Sequence, residues 1–168
     1  MLSEFLKKLM FIRQFFVIDG RIEVLGVKNV MLSSAGVSLL QENNSDLVYS
    51  IFKDSMKKDA ASYAAHLGTT REGIVNTIKN LFELFGLGQL KIVDLDDKSK
   101  KAIVEVYDSV FANYYIQNKK PSKTPTCIVT AGVLAGIFSF TLDSDVDAVE
   151  KRCLTLGDNC CQFIIKQK

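Results

Sequence analysis

Residues 124–142 read TPTCIVTAGVLAGIFSFTL, a run without a single charge. Whether that run crosses a membrane or lies inside a protein decides the fold. Its dense apolar part, Cys127 to Phe140, falls short of the roughly 20 residues needed to span hydrocarbon, and Thr130 and Ser139 interrupt it. Strand-like segments lie on both sides. The run therefore reads as a buried core helix, with no membrane span. Thr124 is a natural N-cap and Pro125 a natural first helical residue, which puts Cys127 in the first turn. Downstream, Asp145 to Leu154 and Gln162 to Lys166 read as strands on either side of a Gly157-Asp158-Asn159 turn.

Upstream, residues 2–11 read as a short helix with Leu2, Phe5, Leu6 and Leu9 on one face. Phe15 to Ile18 and Arg21 to Leu25 flank Asp19-Gly20, a pair suited to a tight type I′ hairpin turn. Lys28 to Ser33 continues as a third short strand. Ser34 can cap a helix ending near Asn43-Asn44, and Ser45 another that keeps helical spacing to Gly68. Thr69 with Glu72 makes a capping box, after which Ile74, Val75, Ile78, Leu81, Phe82 and Phe85 share one face until Gly86. Gln89 to Leu95 and Ala102 to Tyr107 are strands joined by a polar turn, residues 109–117 read as extended, and Asn118 to Lys123 as a basic, solvated loop. Strands, helices, strands, helix, hairpin is an α+β order, with a mainly antiparallel sheet packed by helices.

The chain has 168 residues, 48% of them hydrophobic and 24% charged, which fits one compact domain over 1–168. Two prolines and ten glycines exclude collagen-like and low-complexity chains. Twenty-one Lys and Arg against nineteen Asp and Glu leave +2, no basis for a nucleic-acid surface. The single histidine, His66, makes a hydrolytic triad rest on one residue and excludes His-rich metal centres. Glu4, Lys7, Lys8 and Arg13 break up the apolar N-terminus, and no small-residue cleavage site follows, so a cytoplasmic protein is expected.

All four cysteines, Cys127, Cys153, Cys160 and Cys161, lie in the last quarter of the chain. A secreted disulfide scaffold would spread them to staple distant loops. Cys153 and Cys161 flank the Gly157 turn, so a simple hairpin register sets them opposite each other. Glu150 stands three residues before Cys153, which in a regular strand points the two side chains to opposite faces. A bulge, or a strand end near Arg152, has to intervene if both bind one metal. Three thiolates and a carboxylate suit a tetrahedral Zn²⁺ site with no open position, hence a structural one. A Cys153–Cys161 disulfide, or plain core cysteines, fits the spacing equally well. In a regular strand Cys160 points away from Cys161, as a spare thiol.

Cys127-Ile-Val-Thr-Ala-Gly-Val-Leu-Ala-Gly, Val149-Glu150-Lys151-Arg152-Cys153 and Gly157-Asp158-Asn159-Cys160-Cys161-Gln162-Phe163 together resemble the 4-vinyl reductase domain family. The motif-bearing part is 124–166. The resemblance implies Zn²⁺ held by Cys127, Glu150, Cys153 and Cys161. It also implies a fold shared with subunits of the TRAPP vesicle-tethering complex, usually as a homodimer. Family members include ligand-sensing modules for aromatic compounds and stand-alone archaeal-type hydrocarbon-binding proteins. A zinc-containing domain that binds or senses a small hydrophobic molecule is therefore the leading expectation. Tyr63, Phe111, Tyr114, Tyr115 and Phe138 are the aromatic residues available for its pocket. Phenol-sensing members hold their ligand with a histidine and a tryptophan; this chain has no tryptophan, which favours a less polar or lipid-like ligand.

The family name links it to bacteriochlorophyll synthesis, so a reductase or accessory protein acting on tetrapyrrole vinyl groups is an alternative. No G-x-G-x-x-G follows a strand to hold a hydride donor; Gly86-Leu87-Gly88 starts like one, but Lys91 stands at the third glycine. A protein-interaction scaffold is a further alternative. Ala131, Gly132, Ala135 and Gly136 allow another backbone to approach, from a second copy or from an intramolecular neighbour.

Overall fold

The computed structural model describes residues 3–118 and 122–167; Leu2 and positions 119–121 of the basic loop lie outside them. Chain order is α1 (Glu4–Phe11), β1 (Phe15–Ile18), β2 (Arg21–Val24), β3 (Val27–Asn29), α2 (Ser34–Asn43), α3 (Ser45–Leu67) and α4 (Arg71–Leu84). Then follow β4 (Gln89–Asp96), β5 (Lys101–Tyr107), α5 (Val110–Asn118), α6 (Ile128–Thr141), β6 (Val146–Arg152), a 3₁₀ turn (Leu154–Leu156) and β7 (Cys161–Gln167). The larger sheet is wholly antiparallel in the order β4-β5-β7-β6, and β1-β2-β3 is a separate meander. The α+β reading holds.

Local chemistry sets most boundaries. Asp19 and Gly20 both have positive φ (51° and 75°), as a type I′ turn requires. A second tight turn follows at Leu25-Gly26, where Leu25 also sits at φ 50°. A left-handed leucine costs about 1–2 kcal/mol, and complete burial of its side chain offsets this. The third strand ends at Asn29, four residues earlier than expected, where the Asn29 side chain turns back to donate to the Val27 carbonyl (2.8 Å). Ser33, one residue before the expected cap, closes the start of α2 by accepting from the Gly36 N–H (3.3 Å). Asn44 takes the N-cap position of α3, and Ser45 is its first helical residue. Thr70 caps α4 in place of Thr69, because the left-handed Gly68 needs one more residue to reverse the chain.

Residues 109–117 are helical, not extended. The Ser109 carbonyl accepts from the Asn113 N–H (2.9 Å), and Phe111 and Ala112 are buried on one face. Burial of that face outweighs the strand preference of Val110, Phe111, Tyr114 and Tyr115. The uncharged run forms α6, fourteen residues long and buried almost throughout. Among the described residues, no helix is long and apolar enough to cross a membrane.

α6 lies between α3 and the sheet, above Ala102, Val104, Val106, Phe163 and Ile165. The small residues have an intramolecular partner: a Cβ at Gly132 would stand 2.7 Å from the Tyr49 carbonyl oxygen, and one at Gly136 would strike the Lys53 carbonyl. Lys53 is itself buried and pairs with Asp145 (2.9 Å) and Asp147 (2.8 Å) at the start of β6. Burial alone would lower its pKa; the two carboxylates outweigh this and hold the ammonium above its ordinary value. Tyr49 completes the clasp, donating to Asp147 (3.1 Å) and accepting from the Ala148 N–H (3.0 Å). A smaller core of Leu9, Val24, Leu25, Tyr63, Ala64, Ile74 and Leu81 joins the meander to α3 and α4.

Gly136→Ala should lower stability in urea denaturation by about 1–3 kcal/mol, because its methyl group meets backbone that cannot yield. Gly36→Ala, whose nearest contact is an ordinary 3.5 Å, should leave stability unchanged or raise it by up to about 1 kcal/mol. Equal effects at the two positions would refute this account of the packing.

Candidate metal centre

Three separate segments deliver the cysteine and glutamate side chains. Cys127 enters from the loop before α6, Glu150 and Cys153 from the end of β6, and Cys161 from the first position of β7. Cys127 is the N-cap of α6, not a first-turn residue as expected. The difference comes from its N–H, which donates to Glu150 Oε2 (3.0 Å) while Thr124 to Thr126 remain non-helical. Its carbonyl still accepts the first helical bond, from Ala131 (2.9 Å), so the thiol stays at the positive end of the helix dipole.

The parity problem between Glu150 and Cys153 is solved on β6. Glu150 pairs with Phe163 and Arg152 with Gln162, so Lys151 is an extra residue on one strand. Such a bulge flips the alternation and turns both side chains to the same side of the sheet. The chain then closes through the 3₁₀ turn and a left-handed Gly157 (φ 92°), held by Asp158, which accepts from the Cys153 N–H (2.9 Å).

The ligand atoms of Cys127, Glu150, Cys153 and Cys161 lie within 4.8 Å of one another. The sulfur–sulfur separations are 3.7 Å (Cys127–Cys161), 3.7 Å (Cys153–Cys161) and 4.0 Å (Cys127–Cys153). A disulfide needs about 2.05 Å, and all four cysteines are free thiols. A tetrahedral ion with metal–sulfur bonds of about 2.3 Å spaces its sulfurs by about 3.8 Å. The triangle therefore fits a metal and does not fit a disulfide. The fourth corner agrees, because Glu150 Oε1 is buried without a hydrogen-bond partner among the described residues. A buried carboxylate oxygen left in that state is costly unless a cation or proton meets it.

Surrounding hydroxyls are placed to support thiolates. Thr155 donates to Cys153 Sγ (3.1 Å), and Ser109 Oγ lies 3.4 Å from Cys127 Sγ. Hydrogen bonds from Cys127 and Cys161, and then from Thr155, hold Cys153 far below the ordinary thiol range. The bond to Cys153, with burial, holds Cys127 well above it. Burial, reinforced by the negative charge on Cys153, pushes Glu150 up to about 8. The cluster thus keeps one negative charge and shares protons among the remaining groups, the places a cation would take. Cys160 is buried next to Cys161 in the chain but stands outside this cluster.

The five aromatic residues expected around a pocket do not share one space. Tyr63 lines a narrow apolar cavity between α3, α4 and α6, together with Met56, Ala60, Ile78, Phe82 and Val133. This cavity, about 10 Å³, holds at most one water. Phe111 and Phe138 are packed into the core against the sheet. Tyr114 borders an open, polar groove with Glu83, Asn113 and Gln117, and Tyr115 lies beside Gln41 and Glu42 of α2. The α4 face that lines the cavity was visible as an apolar stripe, but a stripe alone does not separate lining from core. His66 is exposed on α3, its Nδ1 2.9 Å from the Ser62 carbonyl and its ring over Gly26.

Residues 103–167 match the family model of the 4-vinyl reductase domain. Among solved structures, the chain is similar to the phenol-responsive sensory domain of the transcription activator PoxR. The TM-score is 0.78 at 17% identity, covering 99% of this chain and 92% of that one. It is also similar to a vinyl-4-reductase family protein from Methanocaldococcus jannaschii (TM-score 0.58, 16% identity, 100% and 97% covered). A trafficking protein particle complex subunit 3 from Naegleria fowleri, covalently bound to palmitic acid, matches with TM-score 0.55 and 12% identity (80% and 89% covered). No curated protein matches the sequence. The likeness to these structures is one of fold, and it joins this chain to both kinds of relative that its C-terminal motifs resemble.

Metal binding at this cluster must displace the protons its four groups share. Titration of the metal-free protein should therefore release protons, read as a dependence of the calorimetric heat on buffer ionisation enthalpy. Affinity should fall as the pH drops from about 8 to about 6, because the raised Glu150 and the shared thiol protons then compete with the metal. Affinity independent of pH would mean that the thiols do not ligate.

Proposed function

We propose that this chain is a zinc-containing module of the 4-vinyl reductase domain type that binds a small hydrophobic molecule and works as a homodimer in the cytoplasm, residues 1–168 acting as one domain. The observation that carries the reading is the triangle of three sulfurs closed by an unpartnered Glu150 oxygen at the head of α6. Zinc is the metal that three thiolates and a carboxylate in tetrahedral array suit best. With all four positions filled by the protein, its role is structural: it ties the start of α6 to the β6–β7 hairpin.

The ligand site is the seam between α3, α4 and α6. Its walls are almost wholly apolar, with the Tyr63 ring as an aromatic side. Val133 and Ile137 of α6 line this seam one to three turns beyond Cys127, so the metal end and the cavity share one rigid helix. The volume is too small for a ligand at rest, and binding requires α4 to move outward from α3. The likeness to a phenol-responsive domain supports sensing as the role. The absence of tryptophan and of any histidine from the lining favours a ligand without a strong hydrogen-bonding group.

Elemental analysis of untagged protein should give about one zinc per chain. Cys153→Ser and Glu150→Ala should reduce it and lower the melting temperature together, since metal binding and folding share one free energy. Unchanged melting of metal-free wild type would refute the structural zinc. Native mass spectrometry should find an apolar molecule retained by wild type or accepted from a panel of alkyl and aryl compounds. Ala60→Leu, which fills the seam, should abolish that adduct; retention by a folded Ala60→Leu protein would place the ligand elsewhere.

A further inference from the structure

Helix α2 is built the wrong way round for a helix on the surface of a monomer. It buries Ser38 and Gln41, at 0% and 2% exposure, and presents Leu39 and Leu40 outward at 49% and 57%. The inward polar groups are poorly repaid: Gln41 Oε1 accepts from the Val129 N–H (3.1 Å), but Ser38 Oγ is buried without a partner among the described residues. A surface helix normally shows the opposite arrangement. The pattern extends along the chain on both sides. Val30, Met31 and Leu32 lead into α2 with Met31 86% exposed, and Leu47 and Ile51 face outward from the first turns of α3.

We infer that residues 30–51 form the face through which two copies of this chain associate. This deepens the homodimer reading proposed above and rests on it. The seven apolar side chains expose on the order of 800 Å², about the per-partner area of a standard stable interface. That exceeds the apolar patch of an ordinary monomer, about 300–600 Å². A second copy is the occupant the surface fits, because a two-fold interface must be complementary to itself. An apolar surface meets that condition, and the segment carries only two charges, Glu42 and Asp46, with no cation to select an acidic partner. The small residues of α6 offer no competing route, since α3 already covers them. Covering α2 from outside also presses Gln41 onto the first turn of α6, next to Cys127. The dimer face and the metal centre therefore bear on opposite sides of one helix.

Sedimentation of the full chain between about 1 and about 100 µM tests this. Wild type should sediment as a dimer. Leu40→Asp with Leu47→Asp should weaken association at least about 100-fold while zinc content and circular dichroism stay unchanged. Val149→Asp, a comparable change on the outer face of the sheet, should leave the dimer intact. If the double aspartate variant does not fold, the alanine pair and hydrogen exchange on wild type decide: protection within 30–51 should rise with concentration. A dimer insensitive to these changes, with no such protection, would overturn the assigned face and leave the homodimer reading standing. A wild-type monomer at the highest concentration would overturn both, and neither result would touch the zinc assignment.

Discussion

At Gly132 and Gly136 the backbone of α6 rests directly on the backbone of α3, with no side chain between them. This close approach sets how deep α6 sits, and three features follow. The sheet can press its inner face of Val104, Val106, Phe163 and Ile165 against the other side of the helix. Cys127, at the head of α6, arrives level with the end of β6. Val133 and Ile137 reach the seam that α3 and α4 leave open. Lys53 lies at the same contact, and its pairing with Asp145 and Asp147 fixes where β6 begins. A buried lysine is tolerable there only because two carboxylates meet it; without them its charge would be costly.

The metal centre depends on a second constraint, the extra residue in β6. Without the offset at Lys151, the alternation of a strand would send Glu150 and Cys153 to opposite faces. With it, four acidic groups share one small volume from which water is excluded. Crowding of that kind resists ionisation, which is why Glu150 is pushed up to about 8 by burial and the neighbouring thiolate. A divalent cation resolves the crowding by replacing shared protons with coordinate bonds. The hydroxyls of Thr155 and Ser109 then keep contacts to sulfurs that are also metal ligands, the outer contacts that orient such a site.

Between these two fixed regions lies the part of the molecule with least packing. The seam lined by Met56, Ala60, Tyr63, Ile78 and Phe82 is apolar and nearly closed, bounded by helices that are held at one end only. α2 is anchored through polar contacts and leaves its apolar side outward. Both places gain buried apolar area when something enters or covers them, one from a small hydrophobic ligand and one from a second chain.

Much of this was legible in the sequence because it rests on local chemistry. Asp19-Gly20 specifies a type I′ turn in any context. An uncharged run too short for a bilayer becomes a core helix. A carboxylate and a cysteine three residues apart before a Gly turn demand a bulge if they are to meet. Other features were beyond it, since they depend on what lies across the fold. Residues 109–117 carry strand-forming side chains, yet burial of Phe111 and Ala112 makes them a helix. Aromatic residues at Phe111 and Phe138 are core, and Tyr63 alone of the expected five reaches the cavity, because lining is defined by where three helices fail to touch. The small residues of α6 permit a close neighbour, and the sequence determined that much; that the neighbour is α3 was decided only by the tertiary structure, through the depth at which a glycine lets two backbones meet.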